Sequence, residues 1–252
     1  MTENEKLIRR VTSIGNGAHV FTPRNWLGSE VILVRTTQKP LKERIMSLLD
    51  LYLENIEGVY LYGSHARGEA EEGSDIDLLI ISNKKIKIKS QGCEIVCLQK
   101  NEISKAIKIS PILIYSALAE AKPIINSALL HELKNKYKPK RSDFYEYINE
   151  TKNISEINNE LIIRNENLAG VLYSLILRLK GVFIIKSLLA GKEYSNKKFK
   201  LWLTKSINSV NINKLIEGYN NIKRDVKRKF VVKAEDLSQL INLLKSEINN
   251  LR

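Results

Sequence analysis

The chain has 252 residues, 41 Lys and Arg against 28 Asp and Glu, a formal net charge of +13, and 43% hydrophobic residues. This length can bury a sizeable core and hold two or three modules, and the composition excludes a disordered protein. The longest apolar stretch, 169–191, is interrupted by Arg178, Lys180 and Lys186, so no membrane-spanning helix is expected.

The first 38 residues are predicted to form a small β-rich element. Strand-like residues over 7–14 and 18–22 flank a tight turn at 15–17, a compact turn covers 23–28, and a β-rich run follows at 31–34. So short a unit cannot bury an adequate core alone, and we expect it to pair with the next domain or with a second copy of itself. The polar, acidic opening residues carry no apolar leader, which predicts a cytoplasmic location.

Residues 39–140 are predicted to form an α/β domain, and residues 141–252 a helical bundle. Pro40 begins a helix with apolar residues at helical spacing. Strands are predicted over 58–62, 74–82 and 93–98, and the chain becomes helical from residue 104. The predicted fold class is therefore α+β, with three modules at 1–38, 39–140 and 141–252.

Two aspartates introduce the apolar strand at 74–82. Because side chains alternate along a strand, Asp75 and Asp77 should share a face. Like charges held together repel unless a divalent cation neutralises them, and a small set of oxygen ligands suits Mg²⁺. Glu94, the one acidic residue of the strand at 93–98, is the candidate third ligand of a two-metal site.

The cysteine and histidine residues of this sequence are not spaced to form a metal site together. Cys93 and Cys97 lie four residues apart in one predicted strand, which is too far for a disulfide between them. The three histidines are scattered along the chain. Any metal is therefore expected to be held by oxygen.

A glycine–serine pair ends the strand at 58–62 and precedes a short helix. Gly63 would let the backbone approach a ligand closely, and the free N–H groups that follow favour phosphate. Ser64 adds a hydroxyl donor, and Arg67, one turn later, could add a guanidinium fork. Together with the aspartates, these residues predict a metal–nucleotide site.

The combined pattern resembles the nucleotidyltransferase superfamily that includes DNA polymerase beta, and its small bacterial and archaeal members in particular. The resemblance covers about residues 41–140 and implies a polymerase-beta-like domain with a mixed sheet. It also implies transfer of a nucleoside monophosphate from an NTP, with ATP expected, to an acceptor hydroxyl with release of pyrophosphate, using two Mg²⁺ ions. His65 and Glu94 depart from the family's commoner arginine and aspartate. By this match the catalytic metal ligands are Asp75, Asp77 and Glu94, and the nucleotide-binding residues are Gly63, Ser64, Arg67 and Ser74.

Two other segments resemble known modules. Residues 14–28 resemble swapped-hairpin AbrB-like elements, which implies a homodimer and DNA contact through Arg9, Arg10 and Arg24. Residues 168–181 resemble the helical substrate-binding bundle that accompanies many nucleotidyltransferases and selects the acceptor. The Arg and His pattern of the related HEPN ribonucleases does not occur, which excludes that activity.

The acceptor stays open between a protein hydroxyl, an RNA end and a small molecule. Residues 141–252 carry a charge of +8, which slightly favours a macromolecule. Glu166 is a candidate general base from the helical bundle. One alternative is an antitoxin-like enzyme that modifies a partner toxin, and the competing class is a DNA-binding dimeric regulator whose nucleotidyltransferase fold only senses nucleotide.

Overall fold

The computed structural model describes residues 7, 9, 11–34, 40–71, 73–207, 210–223 and 231–251. The chain divides into two compact units, 1–43 and 44–252. Arg10, one of the predicted DNA contacts, lies outside the described residues.

The first unit contains a short antiparallel hairpin. Strand β1, Thr12–Ile14, pairs with β2, Gly17–His19, and Thr12 stands opposite His19. A single 3-10 turn follows at Arg24–Trp26. Both strands are shorter than predicted, and residues 31–34 form no strand, because no described segment pairs with them and β propensity alone does not build a ladder.

The second unit is built on a four-stranded mixed sheet, which confirms the α+β class. Helix α1, Leu41–Leu49, starts after Pro40 as predicted and continues as a 3-10 segment, Asp50–Asn55. The spatial strand order is β5-β4-β3-β6; β4 and β5 are parallel, and β3 is antiparallel to both of its neighbours. The strands are β3 Ile56–Tyr62, β4 Ile76–Ser82, β5 Cys93–Gln99 and β6 Lys122–Ile125.

The position of β4 inside the sheet accounts for its apolar sequence. All residues of β4 except Asp77 are buried, because β4 has a hydrogen-bonded neighbour on each side and is covered on both faces. A strand in this position reads as a continuous apolar run, so the lone aspartate inside it stands out. Helix α2, Gly63–Arg67, directly follows β3, at the end of the sheet where Asp77 lies.

The rest of the second unit is helical, both before and after residue 140 in the chain. Helices α3 Ile103–Ile109, α4 Pro111–Glu120 and α5 Ser127–Lys136 accompany the sheet. The helical region then comprises α6 Tyr145–Ile163, α7 Leu168–Leu189, α8 Asn196–Ser206, α9 Ile212–Lys223 and α10 Ala234–Asn250. One hydrophobic core runs without interruption from the sheet through α4 into this helical region.

Helix α7 is the central helix of that region. It packs against α4, α6, α9 and α10. By length and composition it is apolar enough to cross a membrane. Its buried residues include Val171, Leu175, Leu179 and Ile185, so its apolar character matches its place in the protein core.

Candidate active site

A cleft of about 1300 Å³ lies between the sheet and the helical region, within the unit 44–252. The end of β3 and the start of β4 and β5 form one wall, together with α2 and α4. Helices α6, α7 and α9 and the loop before α8 form the other. Lining residues on the sheet side include Tyr62, Gly63, Arg67, Asp77, Glu94, Ser116 and Glu120, and those on the helical side include Tyr147, Tyr173, Lys180, Tyr194, Tyr219 and Lys223.

Two of the predicted carboxylates meet at this cleft. The parallel register of β4 and β5 places Asp77 directly beside Glu94. Burial raises the pKa of the Asp77 carboxyl, and the charge of Glu94 raises it further, while a hydrogen bond donated by the Ser64 N–H opposes both. The half-buried Asp77 and the exposed Glu94 therefore concentrate negative charge at the cleft, the situation that a cation relieves.

Gly63 brings the backbone against Asp77. Its φ is +69°, and a Cβ at this position would overlap the Asp77 carboxylate. The next N–H, that of Ser64, donates to Asp77, and the Gly63 N–H donates to the carboxylate of Glu120. Only glycine meets both the positive φ and the close approach.

Asp75 and Ser74 occupy the turn before β4. Asp75 is exposed and does not line the cleft, although its charge makes a small contribution to the raised pKa of Asp77. The Ser74 hydroxyl accepts a 2.9 Å hydrogen bond from the N–H of Glu71, and His65 Nε2 lies 3.3 Å from the Ser74 carbonyl oxygen. His65 and Ser74 thus hold the loop that leads to the aspartates.

The predicted site residues are only partly brought together. Of the predicted nucleotide-binding and metal-binding residues, Asp77, Glu94, Arg67 and Gly63 line the cleft, whereas Ser64, Ser74 and Asp75 do not. In the part of the chain that the structure describes, no three His, Cys, Asp or Glu side chains converge closely enough to hold a metal ion.

Arg67 is held by two carboxylates. Its Nε donates to Glu69 Oε2 at 2.9 Å, and its Nη1 donates to Glu120. Burial raises the pKa of Glu120, and the guanidinium opposes that rise. Two of the nitrogens of the guanidinium predicted to bind phosphate, Nε and Nη1, therefore have carboxylate partners within the protein.

Glu69 also joins the sheet side of the cleft to the start of α8. It accepts hydrogen bonds from the backbone N–H and the side-chain amide of Asn196, both at 3.2 Å, and from the N–H of Lys197 at 3.5 Å. A carboxylate at a helix N-terminus is stabilising because it meets unsatisfied N–H groups and the positive end of the dipole. The guanidinium of Arg67 lies 5.3 Å from the ring centroid of Tyr194, which adds a second contact between α2 and the loop before α8.

The helical wall presents a lysine and several tyrosines. Lys180 Nζ lies 5.6 Å from the Tyr194 ring centroid, on the ring face. Burial lowers the pKa of Lys180 to about 8, with Lys223 and Arg67 adding to the effect. Tyr173 and Tyr219 stack with centroids 5.3 Å apart and planes 18° apart.

Sequence reasoning missed Glu69, Glu120, Lys180 and Tyr194. Glu69 is a local partner of Arg67, two residues later in the chain, whereas the packing of α4 and the helical region against the sheet brings Glu120, Lys180 and Tyr194 to this site. Glu166, the candidate general base, lies in the exposed α6–α7 turn and does not line the cleft.

Part of the chain matches a known protein family. Residues 43–132 match the family model described as polymerase beta, nucleotidyltransferase. A candidate protein adenylyltransferase of Methanocaldococcus jannaschii is 41% identical over 46 residues, which are 18% of this chain and 46% of that protein. The match thus spans about half the length of that relative.

Two solved structures are similar over most of the chain. A nucleotidyltransferase-like protein from Exiguobacterium sibiricum aligns with 84% of this chain and 75% of its own, at 10% identity and a TM-score of 0.39. Spectinomycin adenyltransferase from Enterococcus faecialis, solved with ATP and spectinomycin, aligns with 82% of this chain and 97% of its own, at 16% identity and a TM-score of 0.46.

Proposed function

Because residues 43–132 form a nucleotidyltransferase domain of the polymerase beta type, we propose that the protein transfers a nucleoside monophosphate from an NTP to an acceptor hydroxyl and releases pyrophosphate. One observation carries this proposal. Asp77 and Glu94 stand side by side on parallel strands at a large cleft, with the Gly63 backbone packed against Asp77. ATP is the first donor to test, since the relative from M. jannaschii is named as an adenylyltransferase.

Mg²⁺ is the metal that suits this site. Asp77 and Glu94 supply two oxygen ligands whose mutual repulsion a divalent cation would remove, and Asp75 would supply a third from the adjacent turn. When bound, the metal supplies positive charge next to the transferring phosphoryl group and the leaving pyrophosphate. The protein's own part would be to hold Asp77 and Glu94 side by side on adjacent strands, with Asp75 just before β4.

The residues of the Gly63 turn are proposed to position the nucleotide. Gly63 lines the cleft, where its backbone would meet a phosphate, and Ser64 follows it. Arg67 and Ser74 act through the structure around them: Arg67 by holding Glu69 and Glu120, and Ser74 by shaping the turn before Asp75. This differs from the direct phosphate contacts that the family resemblance implies.

The acceptor is proposed to enter beside α6. That part of the cleft is lined by Ser142, Tyr145, Glu146 and Arg178, beyond the carboxylates. A protein hydroxyl is the first acceptor to test because the matched relative carries the name of a protein adenylyltransferase. RNA ends and small molecules, including spectinomycin, are the alternatives that the same assay compares.

The test is label transfer from α-labelled NTPs in Mg²⁺ or EDTA, with protein extract, tRNA, spectinomycin or no acceptor. Asp77→Asn and Glu94→Gln should each abolish transfer, because each removes one charge of the pair. Glu132→Gln is the matched control: Glu132 is a half-exposed carboxylate of the same domain that pairs with Lys100 at the surface. Undiminished labelling by Asp77→Asn would overturn the assignment.

A further inference from the structure

The segment that joins β4 to β5 carries a row of lysines on one side. Its side chains alternate between solvent and the protein interior: Ile88 is buried and Ile86 partly buried, and the residues beside them are exposed lysines. Alternate side chains of an extended chain recur on one face about every 6.6 Å. We call this row the lysine stripe; it comprises Lys85, Lys87 and Lys89.

Charge is the property that the lysine stripe presents to solvent. Residues 83–92 contain no Asp or Glu and no aromatic residue. Among the residues that the structure describes, no carboxylate forms an ion pair with the three ammonium groups, whereas Lys100 and Lys186 have such partners. Three uncompensated positive charges on one short exposed segment attract an extended anion.

The lysine stripe leads along the sheet towards the cleft. Because β4 and β5 are parallel, the chain has to return from the far end of β4 to the end where the cleft carboxylates lie. Midway, the N–H of Ile88 donates a hydrogen bond to the thiol of Cys97 in β5. After the stripe, the Gly92 carbonyl accepts a 2.9 Å hydrogen bond from the N–H of Ile76, the first residue of β4. The stripe is therefore held beside the sheet, and its last lysine precedes the turn at the edge of the cleft.

Lysines beside an end strand can also have a protective role. Strand β5 is the last strand of the sheet, and charged side chains keep such a strand from pairing with other chains. That role is served by charge of either sign. A regular row of one sign that leads to a cleft requires a partner of the opposite sign, so the two roles respond differently to charge reversal.

We propose that the lysine stripe binds the sugar–phosphate backbone of a single-stranded nucleic acid. Such a strand is a flexible line of charges, one at each nucleotide, that can follow a row of lysines along the sheet. Because residues 83–92 offer no aromatic ring for a base to stack on, the contact is with phosphate and is independent of base sequence. The inference concerns binding alone and does not depend on the proposed function.

Fluorescence anisotropy of labelled oligouridylate, oligoadenylate and a DNA single strand, titrated with the full chain at several salt concentrations, tests this. Replacing Lys85, Lys87 and Lys89 together by Gln should reduce the slope of log affinity against log salt by about 2 for every strand, since each phosphate contact contributes about 0.7. The matched control replaces three exposed lysines of α8 by Gln and should leave the slope unchanged; these are Lys197, Lys200 and Lys205. Equal losses in the two variants would show that net charge alone governs binding and would overturn the proposal.

Replacing the same three stripe lysines by Glu separates binding from protection of the strand. This variant keeps a charged edge, so its light scattering and unfolding temperature should equal those of wild type, while its affinity for each oligonucleotide should fall further than in the Gln variant. A soluble Glu variant with wild-type oligonucleotide affinity would assign the lysines to edge protection and overturn the proposal. Competition by polyglutamate as strong as that by an oligonucleotide of equal charge would assign the stripe to an acidic polypeptide instead. These measurements need neither NTP nor Mg²⁺, so failure of label transfer would leave this inference standing.

Discussion

At the residue scale, Gly63 decides how close the backbone comes to Asp77. Any other residue there would need a backbone φ of +69°, and its Cβ would overlap the Asp77 carboxylate, which accepts a hydrogen bond from the Ser64 N–H. The residue therefore carries two separate constraints, one conformational and one steric. Each constraint also occurs alone at other glycines, but among the described glycines Gly63 is the one that combines a positive φ with a close contact.

Gly63→Ala tests the steric constraint. We expect a loss of label transfer of about 100-fold or more and a destabilisation of about 1–3 kcal/mol, because the backbone or Asp77 must move. Gly68→Ala is the control: its φ is +73°, but a Cβ there meets nothing within 4 Å. Equal losses in label transfer and in urea unfolding for the two variants would mean that conformational strain alone explains Gly63.

At the element scale, α2 and α8 are joined by one carboxylate. Glu69 follows α2, accepts from the first N–H groups of α8, and pairs with Arg67. The start of α8 also has its own cap, since Ser195 Oγ accepts from the N–H of Lys198. Glu69 is thus an additional contact between the two walls of the cleft, and the spacing of α7 and α8 from the sheet depends on it.

Glu69→Gln should weaken that contact. We expect a loss of about 1–2 kcal/mol in the free energy of unfolding at neutral pH. Hydrogen bonds from Arg67 and from the α8 backbone hold the pKa of Glu69 below its usual value, although burial acts in the opposite direction. Because the folded-state pKa is depressed, this stabilisation is present at neutral pH and is lost as the pH falls through that pKa.

Urea unfolding of wild type and Glu69→Gln at pH 7 and near pH 4 measures this effect, and the difference between them should shrink at the lower pH. Glu156→Gln, at an exposed position of α6, provides the control for loss of one negative charge. A difference that stays constant with pH would show that the carboxylate charge of Glu69 is not what holds the helix.

At the scale of the whole molecule, the unit 44–252 contains the sheet, the helical region, their common core and the cleft. The hairpin β1–β2 belongs to the other unit and, within the described residues, has three-residue strands whose side chains are largely exposed. A hairpin of this size is marginal on its own. The homodimer predicted from its resemblance to AbrB-like elements would provide the missing partner.

Removal of residues 1–39 tests this division. We expect the remaining chain to keep label transfer and its unfolding temperature, because α1 retains its buried Ile45 and Leu49, and to change from dimer to monomer in light scattering. The full chain measured at the same concentration is the reference. A full chain that is already monomeric would contradict the predicted dimer, and an unfolded truncated chain would show that the first unit supports the fold.

The local pattern of this sequence determined the strand at 76–82, the turn at Gly63 and the neighbouring carboxylates, since alternation, glycine and apolar runs act over a few residues. It also predicted the helix after Pro40 and the long helix around 168–189. The shared face of Asp75 and Asp77 was predicted from strand alternation, but Asp75 precedes the strand and lies in an exposed turn. Arg67 was predicted from the same motif to be free for phosphate.

Only the tertiary structure decided which charges are free. The contact of Glu120 with Arg67 and that of Glu69 with the start of α8 depend on how α4 and α8 pack against α2, whereas the pair of Arg67 with Glu69 joins residues two positions apart. A motif specifies backbone geometry through neighbours in sequence, whereas the pairing of charges depends on residues that the fold brings together over long distances in the chain.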